Sequence, residues 1–174
     1  MKVAYVTTLC NGDGYLPGVE ALGMSLQASG SAHPRVLLWT PDVPRAALDR
    51  AVACGWDLQP IAPIANPHPD DELLFQRFAH VFTKLRAWEL TGFDKVVLLD
   101  ADTIVLRNVD VLFDRPAFAA APDFFLPDRF NSGVMVLDPN DRQFARMTDA
   151  LSAHRGYDGG DQGFLNELFP DWYA

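Results

Sequence analysis

Lys95–Leu99 reads Lys-Val-Val-Leu-Leu and runs straight into Asp100-Ala101-Asp102. An unbroken aliphatic run of this length suits a strand buried on both faces, the kind found inside a mainly parallel sheet covered by helices. Two acidic residues at its end then fall where such sheets hold their ligands, at the carboxyl ends of the strands. Weaker strand signals precede it: Val3–Thr7, Arg35–Thr40 and the proline-interrupted Trp56–Ile64. Helical patterns separate them over Val19–Ser29, Pro41–Cys54 (Pro44 near its start, Gly55 past its end) and Asp71–Thr91, which Gly92 closes. This alternation predicts βαβ units and an α/β fold. Further on, Val134–Leu137 reads as another buried strand, and Asn140–His154 and Asp161–Phe169 read as helices. The Pro-rich stretch from Ile61 to Pro69 reads as a surface loop, so a single domain is expected.

Composition narrows the function. The 174 residues are 49% hydrophobic and 21% charged, and 14 Lys+Arg face 23 Asp+Glu for a net charge of −9. Such a surface repels polyphosphate backbones, so a nucleic-acid partner is not expected. Cys10 and Cys54 are too few for a disulfide framework. No apolar run approaches the roughly 18 residues of a membrane span, and Lys2–Leu9 lacks a signal-peptide core. These features predict a cytoplasmic chain with no membrane partner.

Four segments carry candidate chemistry. Asp100 and Asp102, two residues apart at a strand end, can aim at one small volume, where their repulsion calls for a hard divalent cation. The same pattern also suits a solvated loop. Asn131-Ser132-Gly133 offers groups that can bond sugar hydroxyls, or forms an ordinary turn before the next strand. In Asp158-Gly159-Gly160-Asp161-Gln162-Gly163, glycines allow close backbone approach to a ligand, and Asp161 alternatively caps a helix. Thr7-Thr8-Leu9-Cys10-Asn11, with Gly12-Asp13-Gly14-Tyr15, is a polar turn after the first strand, without the GxGxxG dinucleotide fingerprint. Lys84 and Arg77 lie on the third helical pattern, where they could meet a phosphate or lie along the helix surface. His33, His68, His80 and His154 form no metal-binding spacing.

Taken in order, Val6–Tyr15 (VTTLCNGDGY), Thr83–Trp88 (TKLRAW), Leu99–Leu106 (LDADTIVL), Ala120–Asp123 (AAPD), Phe130–Val136 (FNSGVMV) and Asp158–Asn166 (DGGDQGFLN) resemble glycosyltransferase family 8. Within it they are most similar to the glycogenin-like branch, a retaining GT-A family. The resemblance implies one GT-A domain over residues 1–174, with a nucleotide-binding half of about 1–105 and a sugar- and acceptor-binding half of about 106–174. It implies transfer of a hexose, glucose favoured, from a UDP-sugar to an acceptor hydroxyl on a glycan, protein or small molecule. Asp100 and Asp102 would hold Mn2+, or Mg2+, on the diphosphate. Ala101 would lie near the ribose, and Thr8, Asn11 and Tyr15 around uracil and ribose. The turn that holds those three carries one residue more than the family's. Lys84 and Arg77 would meet the phosphates. Asn131, Ser132, Asp158, Asp161 and Gln162 would bind the sugar, with Asp161, Gln162 and Lys84 catalytic. Gln162 is a poor nucleophile, which favours same-face attack by the acceptor.

The family's third metal ligand is a histidine in a later H-F-x-G-x-x-K-P-W segment, which the 174 residues do not contain. Either a truncated form or water in the vacant position would account for this. A homodimer would suit such proteins, without support in this sequence. Two alternatives accompany the transferase. One is a truncated UDP-sugar-binding module or pseudoenzyme of weak activity. The other follows from Val96–Ile104 (VVLLDADTI), which also resembles the first motif of haloacid-dehalogenase phosphatases. That family places the motif near the N-terminus with a cation downstream, whereas here it lies past the midpoint and no lysine follows Lys95.

Overall fold

A computed structural model describes residues 1–67, 79–124, 128–154 and 156–172. Among these residues six strands form one sheet in the order β3-β2-β1-β4-β6-β5. They are β1 (Val3–Leu9), β2 (Arg35–Trp39), β3 (Asp57–Pro60), β4 (Lys95–Leu99), β5 (Ala119–Pro122) and β6 (Phe130–Leu137). The first four are mutually parallel, while β6 runs antiparallel to both β4 and β5. This mixed, mainly parallel sheet is the expected α/β architecture. No helix among the described residues is long and apolar enough to cross a membrane.

Period-two alternation divides the strands between two cores. Val3, Tyr5, Val97 and Leu99 pack with Val19, Leu22 and Leu26 of α1 (Leu16–Ala28) and with Ala47, Leu48 and Ala51 of α2 (Arg45–Ala53). On the opposite face, Ala4, Val6, Val96 and Leu98 pack with Phe82 and Leu85, with Met147 of α3 (Asp141–Ala150), and with Phe164 and Leu165 of α4 (Asp161–Leu168). Each buried Leu contributes roughly 1.5–3 kcal/mol of apolar transfer. The central strands are therefore held from both sides, and their carboxyl ends are fixed platforms.

Three expectations change. The helix expected over Asp71–Thr91 is, in its described part, a 3₁₀ segment over Val81–Glu89; residues 71–78 lie outside the described residues. Three residues per turn align Phe82, Leu85 and Trp88, all buried in the second core, and i,i+3 apolar spacing does not separate this geometry from an α-helix. Thr83 Oγ1 accepts the Ile64 N–H at 3.0 Å, tying the segment to the Pro-rich loop. Second, Asn131-Ser132-Gly133 lies inside β6 and not in a turn before it. Third, the short edge strand β5 goes unrecognised in the sequence, because Ala119-Ala120-Ala121-Pro122 contains no β-branched or aromatic residue. The other helices keep their places with shifted ends. α1 starts three residues early, since Pro17 is accommodated in a first turn, and α3 stops at Ala150.

Candidate active site

The carboxyl end of β4 meets the middle of β6. Leu99 pairs with Val134, and the Asp100 N–H donates to the Gly133 carbonyl at 2.9 Å. The pairing carries Asp100 past the strand end and sets Ser132 beside it. The Asn131 and Asp100 side chains close over Gly133: a Cβ there would come within 2.8 Å of Asn131 Oδ1 and 3.3 Å of Asp100 Oδ2, so those side chains would have to give way. On the other side of Asp100, Gly18 of α1 packs so closely that a Cβ would collide with the Ala101 carbonyl.

Lys84 is the centre of the cluster. Its Nζ lies 2.8 Å from Asp100 Oδ1, 2.8 Å from Asp161 Oδ2 and 3.3 Å from Ser132 Oγ. An ammonium has three protons, so these acceptors saturate it. The Ser132 hydroxyl in turn donates to Asp161 Oδ2 at 2.6 Å. Lys84, Ser132 and Asp161 are 8%, 5% and 6% exposed, so the charges are largely withdrawn from water. Burial alone would pull the lysine toward its neutral form; the Asp161 and Asp100 carboxylates outweigh it and hold its pKa above the ordinary lysine value. Residues from the 3₁₀ segment, β4, β6 and α4 thereby converge on one nitrogen.

The Asp158–Gly163 turn supplies the far wall. Gly160 is the N-cap of α4, and Asp161 does not cap the helix; its side chain goes to Lys84. Asp158 satisfies the helix end instead, its Oδ1 accepting the Gly160 N–H at 2.9 Å and the Gly163 N–H at 3.0 Å. The Gln162 amide is held at both ends. Oε1 accepts the Ser132 N–H at 3.2 Å, and Nε2 donates to Asp123 Oδ2 at 2.9 Å and to the Tyr157 hydroxyl at 2.8 Å. Asn131 is exposed, with Oδ1 taken by the Gly133 N–H at 2.8 Å.

The nucleotide candidates are more scattered. Val6 pairs with Leu98, so Thr8, two residues further, reaches the height of Asp100 on the next strand. It is half-buried, while Asn11 and Tyr15 are exposed in the turn that follows. Asn11 and Gly12 have φ of 62° and 81°, the left-handed region, and the Gly12 N–H bonds the Asp42 carboxylate. Among the described residues no bond joins Thr8, Asn11 or Tyr15 to the Lys84 cluster. Ala101 is buried at the edge of the first core, and Arg77 lies outside the described residues.

Sequence reasoning passed over Asp123, Tyr157 and Asn66. Asp123 stands just past β5, in a segment quoted only as part of the resemblance. Asn66, 6% exposed in the Pro-rich loop, donates to the Gly159 carbonyl at 3.0 Å and so braces the glycine turn from a segment with no motif of its own.

Asp102 is exposed beside Asp100. Among the described residues no group of three His, Cys, Asp or Glu could hold a metal. Two carboxylates at a strand end nevertheless suit a hard, oxygen-seeking cation that takes its remaining ligands from phosphate oxygens and water. The donor set fits such an ion.

The architecture is that of GT-A glycosyltransferases. Over 100% of this chain and 44% of the other, it resembles the apo-form glycosyltransferase GlyE of Streptococcus pneumoniae TIGR4, with a TM-score of 0.74 at 24% identity. The galactosyltransferase LgtC, solved with donor and acceptor sugar analogs, matches 95% of this chain and 70% of its own, with a TM-score of 0.71 at 17% identity. A family model described as "Mannosyltransferase putative" matches residues 65–155, more than half of the chain, and the chain belongs to that glycosyltransferase family. Among curated relatives, Glycogenin-1 of Caenorhabditis elegans is 41% identical over 99% of this chain and 40% of its own length. Inositol phosphorylceramide glucuronosyltransferase 1 of Arabidopsis thaliana is 41% identical over 98% of this chain and 31% of its own. The chain thus spans well under half the length of these relatives.

Proposed function

We propose that this chain is the donor-binding and catalytic part of a retaining, glycogenin-like family 8 glycosyltransferase. It moves a hexose, glucose favoured, from a UDP-sugar to an acceptor hydroxyl. The single observation that carries the reading is the Lys84 ammonium bridging Asp100 at the end of β4 to Asp161 at the start of α4. A buried cation between an acidic strand end and an acidic helix start suits a reaction in which negative charge grows on a departing diphosphate while the sugar becomes electron-poor. The 41% identity to Glycogenin-1 supports the branch, although the matching family model bears a mannosyltransferase name. Relatives named for UDP-glucuronate support a uridine nucleotide.

Asp100 and Asp102 would hold Mn2+, or Mg2+, on the diphosphate. Bound there, the ion would neutralise charge on the leaving group. Thr8, Asn11, Tyr15 and Ala101 would border the nucleoside, and Arg77 and Lys84 would meet the phosphates. Asn131, Ser132 and Asp158 would line the sugar. Asp161 would face the electron-poor ring. Gln162 has its amide oxygen engaged by the Ser132 N–H, so in this reading it orients the β6 and α4 walls, leaving the acceptor to attack from the face that the diphosphate leaves.

Glucose suits the site better than glucuronate. The described groups on the sugar side are Asp123, Asp158 and Asp161 with the neutral Asn131, Ser132 and Gln162; of the two cations nearby, Lys84 is already engaged and Arg129 is stacked on the Tyr157 ring, 4.0 Å from its centroid. A sugar carboxylate would meet like charge there. The test is a thermal-shift and turnover screen of UDP-glucose, UDP-galactose and UDP-glucuronate with and without Mn2+. Mn2+-dependent stabilisation by UDP and faster turnover of UDP-glucose are expected. UDP binding without turnover of any donor would leave only a binding module, and failure of UDP to stabilise the protein in Mn2+ would overturn the reading.

A further inference from the structure

We propose that the Lys84 ammonium is a stand-in counter-ion, occupying on Asp100 the electrostatic place that a divalent cation takes when donor binds. This rests on the functional reading above. The ammonium is saturated by Asp100, Asp161 and Ser132, so it can donate to an incoming diphosphate only by releasing one of them. Asp161 is the less free to be released: its side chain is 9% exposed and its Oδ2 also accepts the Ser132 hydroxyl. Asp100 is the more exposed partner, 33% at the side chain. The Lys84–Asp100 contact is therefore the one that parts. On donor binding the ammonium stays on Asp161 and Ser132, turns its freed proton to the phosphates and leaves Asp100 Oδ1 for the cation.

The charge count gives the idea a consequence opposite to that of an ordinary binding residue. Asp100, Asp102 and Asp161 carry three negative charges against one positive charge on Lys84. Removing the lysine leaves a partly buried acidic group with nothing to balance it, and such a group takes up a divalent cation more readily. Lys84→Met keeps most of the apolar stem, one atom shorter, and removes the charge.

Free Mn2+ is titrated against wild type and K84M by electron paramagnetic resonance, without nucleotide. The variant is expected to bind Mn2+ at least about tenfold more tightly than wild type, and the gain should vanish in K84M/D102N. Thermal melts of the same proteins by circular dichroism should show Mn2+ raising the Tm of K84M well above its effect on wild type. If K84M is unfolded without metal, recovery of helical signal on adding Mn2+ supports the inference, and no recovery overturns it. Equal or weaker Mn2+ binding by a folded K84M also overturns it. Calorimetry of UDP on wild type separates the two readings. If UDP affinity depends on Mn2+ but K84M shows no gain, the counter-ion idea alone fails; if UDP affinity ignores Mn2+, the functional reading fails.

Discussion

The two walls of the site are finished to different degrees. On the β6 and α4 side, polar groups find partners within the protein: Asp158 takes two backbone N–H groups, Gln162 has three partners, and Ser132 joins Lys84 to Asp161. On the β4 side, Asp100 meets Lys84 through one oxygen and Asp102 stands exposed. A wall whose groups are already fixed suits recognition of changing charge, because no reorganisation is needed at the moment of reaction. A wall with open carboxylate oxygens suits ligands that arrive with their own cation. Substitutions on the two walls should therefore fail in different ways.

The largest contrast is expected at Asp161. Asp161→Ala removes one of the two carboxylates on Lys84 and the acceptor of the Ser132 hydroxyl. Turnover of the donor should fall by roughly 10²–10³, while UDP affinity by calorimetry changes only a few-fold. Equal losses in both would reduce Asp161 to a structural role and erase the difference between the walls. Asp102→Asn should do the reverse. The Mn2+-dependent part of UDP affinity should drop roughly 10–100-fold, with stability unchanged within about 0.5 kcal/mol because the side chain is exposed. UDP affinity that ignores Mn2+ in both wild type and variant would remove the assignment of this pair.

The same division separates what could be read in the sequence from what could not. Lys95–Leu99 announced its burial through unbroken aliphatic residues, and Asp100 and Asp102 follow from where such a strand must end. Local pattern sufficed because local chain direction sets their position. The other wall depends on pairings between distant residues. Ser132 bonds Gln162 from 30 positions away, and Gln162 reaches Asp123 from 39. No short motif encodes either. Gly133 suggested a turn, whereas it lies inside β6 with the Asn131 and Asp100 side chains close over it. Asp161 looked equally like a cap, and only the folded chain reveals that Asp158 does that work. The 3₁₀ form of Val81–Glu89 was hidden because Phe82, Leu85 and Trp88 suit either helix.

The open wall can also be probed from behind. Gly18 lies against the Ala101 carbonyl, and a methyl group at that position has to displace backbone. Gly18→Ala should cost about 1–3 kcal/mol by urea denaturation. Because the displaced segment carries Asp100 and Asp102, Mn2+-dependent UDP binding should weaken along with stability. If UDP binding held while stability fell, the spacing between α1 and the Asp100–Asp102 segment would have no part in setting the metal pair.

A smaller effect is expected from Gln162→Glu, and it tests whether the closed wall is as fully paired as its hydrogen bonds indicate. One oxygen of the new carboxyl can still accept the Ser132 N–H, and Tyr157 can reverse to donate. The contact with Asp123 cannot reverse, because it would set two carboxylates against each other unless one is protonated. Repulsion raises the folded-state pKa of the new group above its unfolded value of roughly 4.3. A raised pKa favours the folded form below that unfolded value, and the benefit disappears as pH rises through the folded-state pKa. Q162E should accordingly lie near wild type in urea denaturation at about pH 4 and fall behind by about 1 kcal/mol at pH 7, the penalty moderated because Tyr157 is 43% exposed beside it. A deficit of the same size at both pH values would mean that Asp123 and Gln162 do not meet in solution, and the far wall would then be open as well.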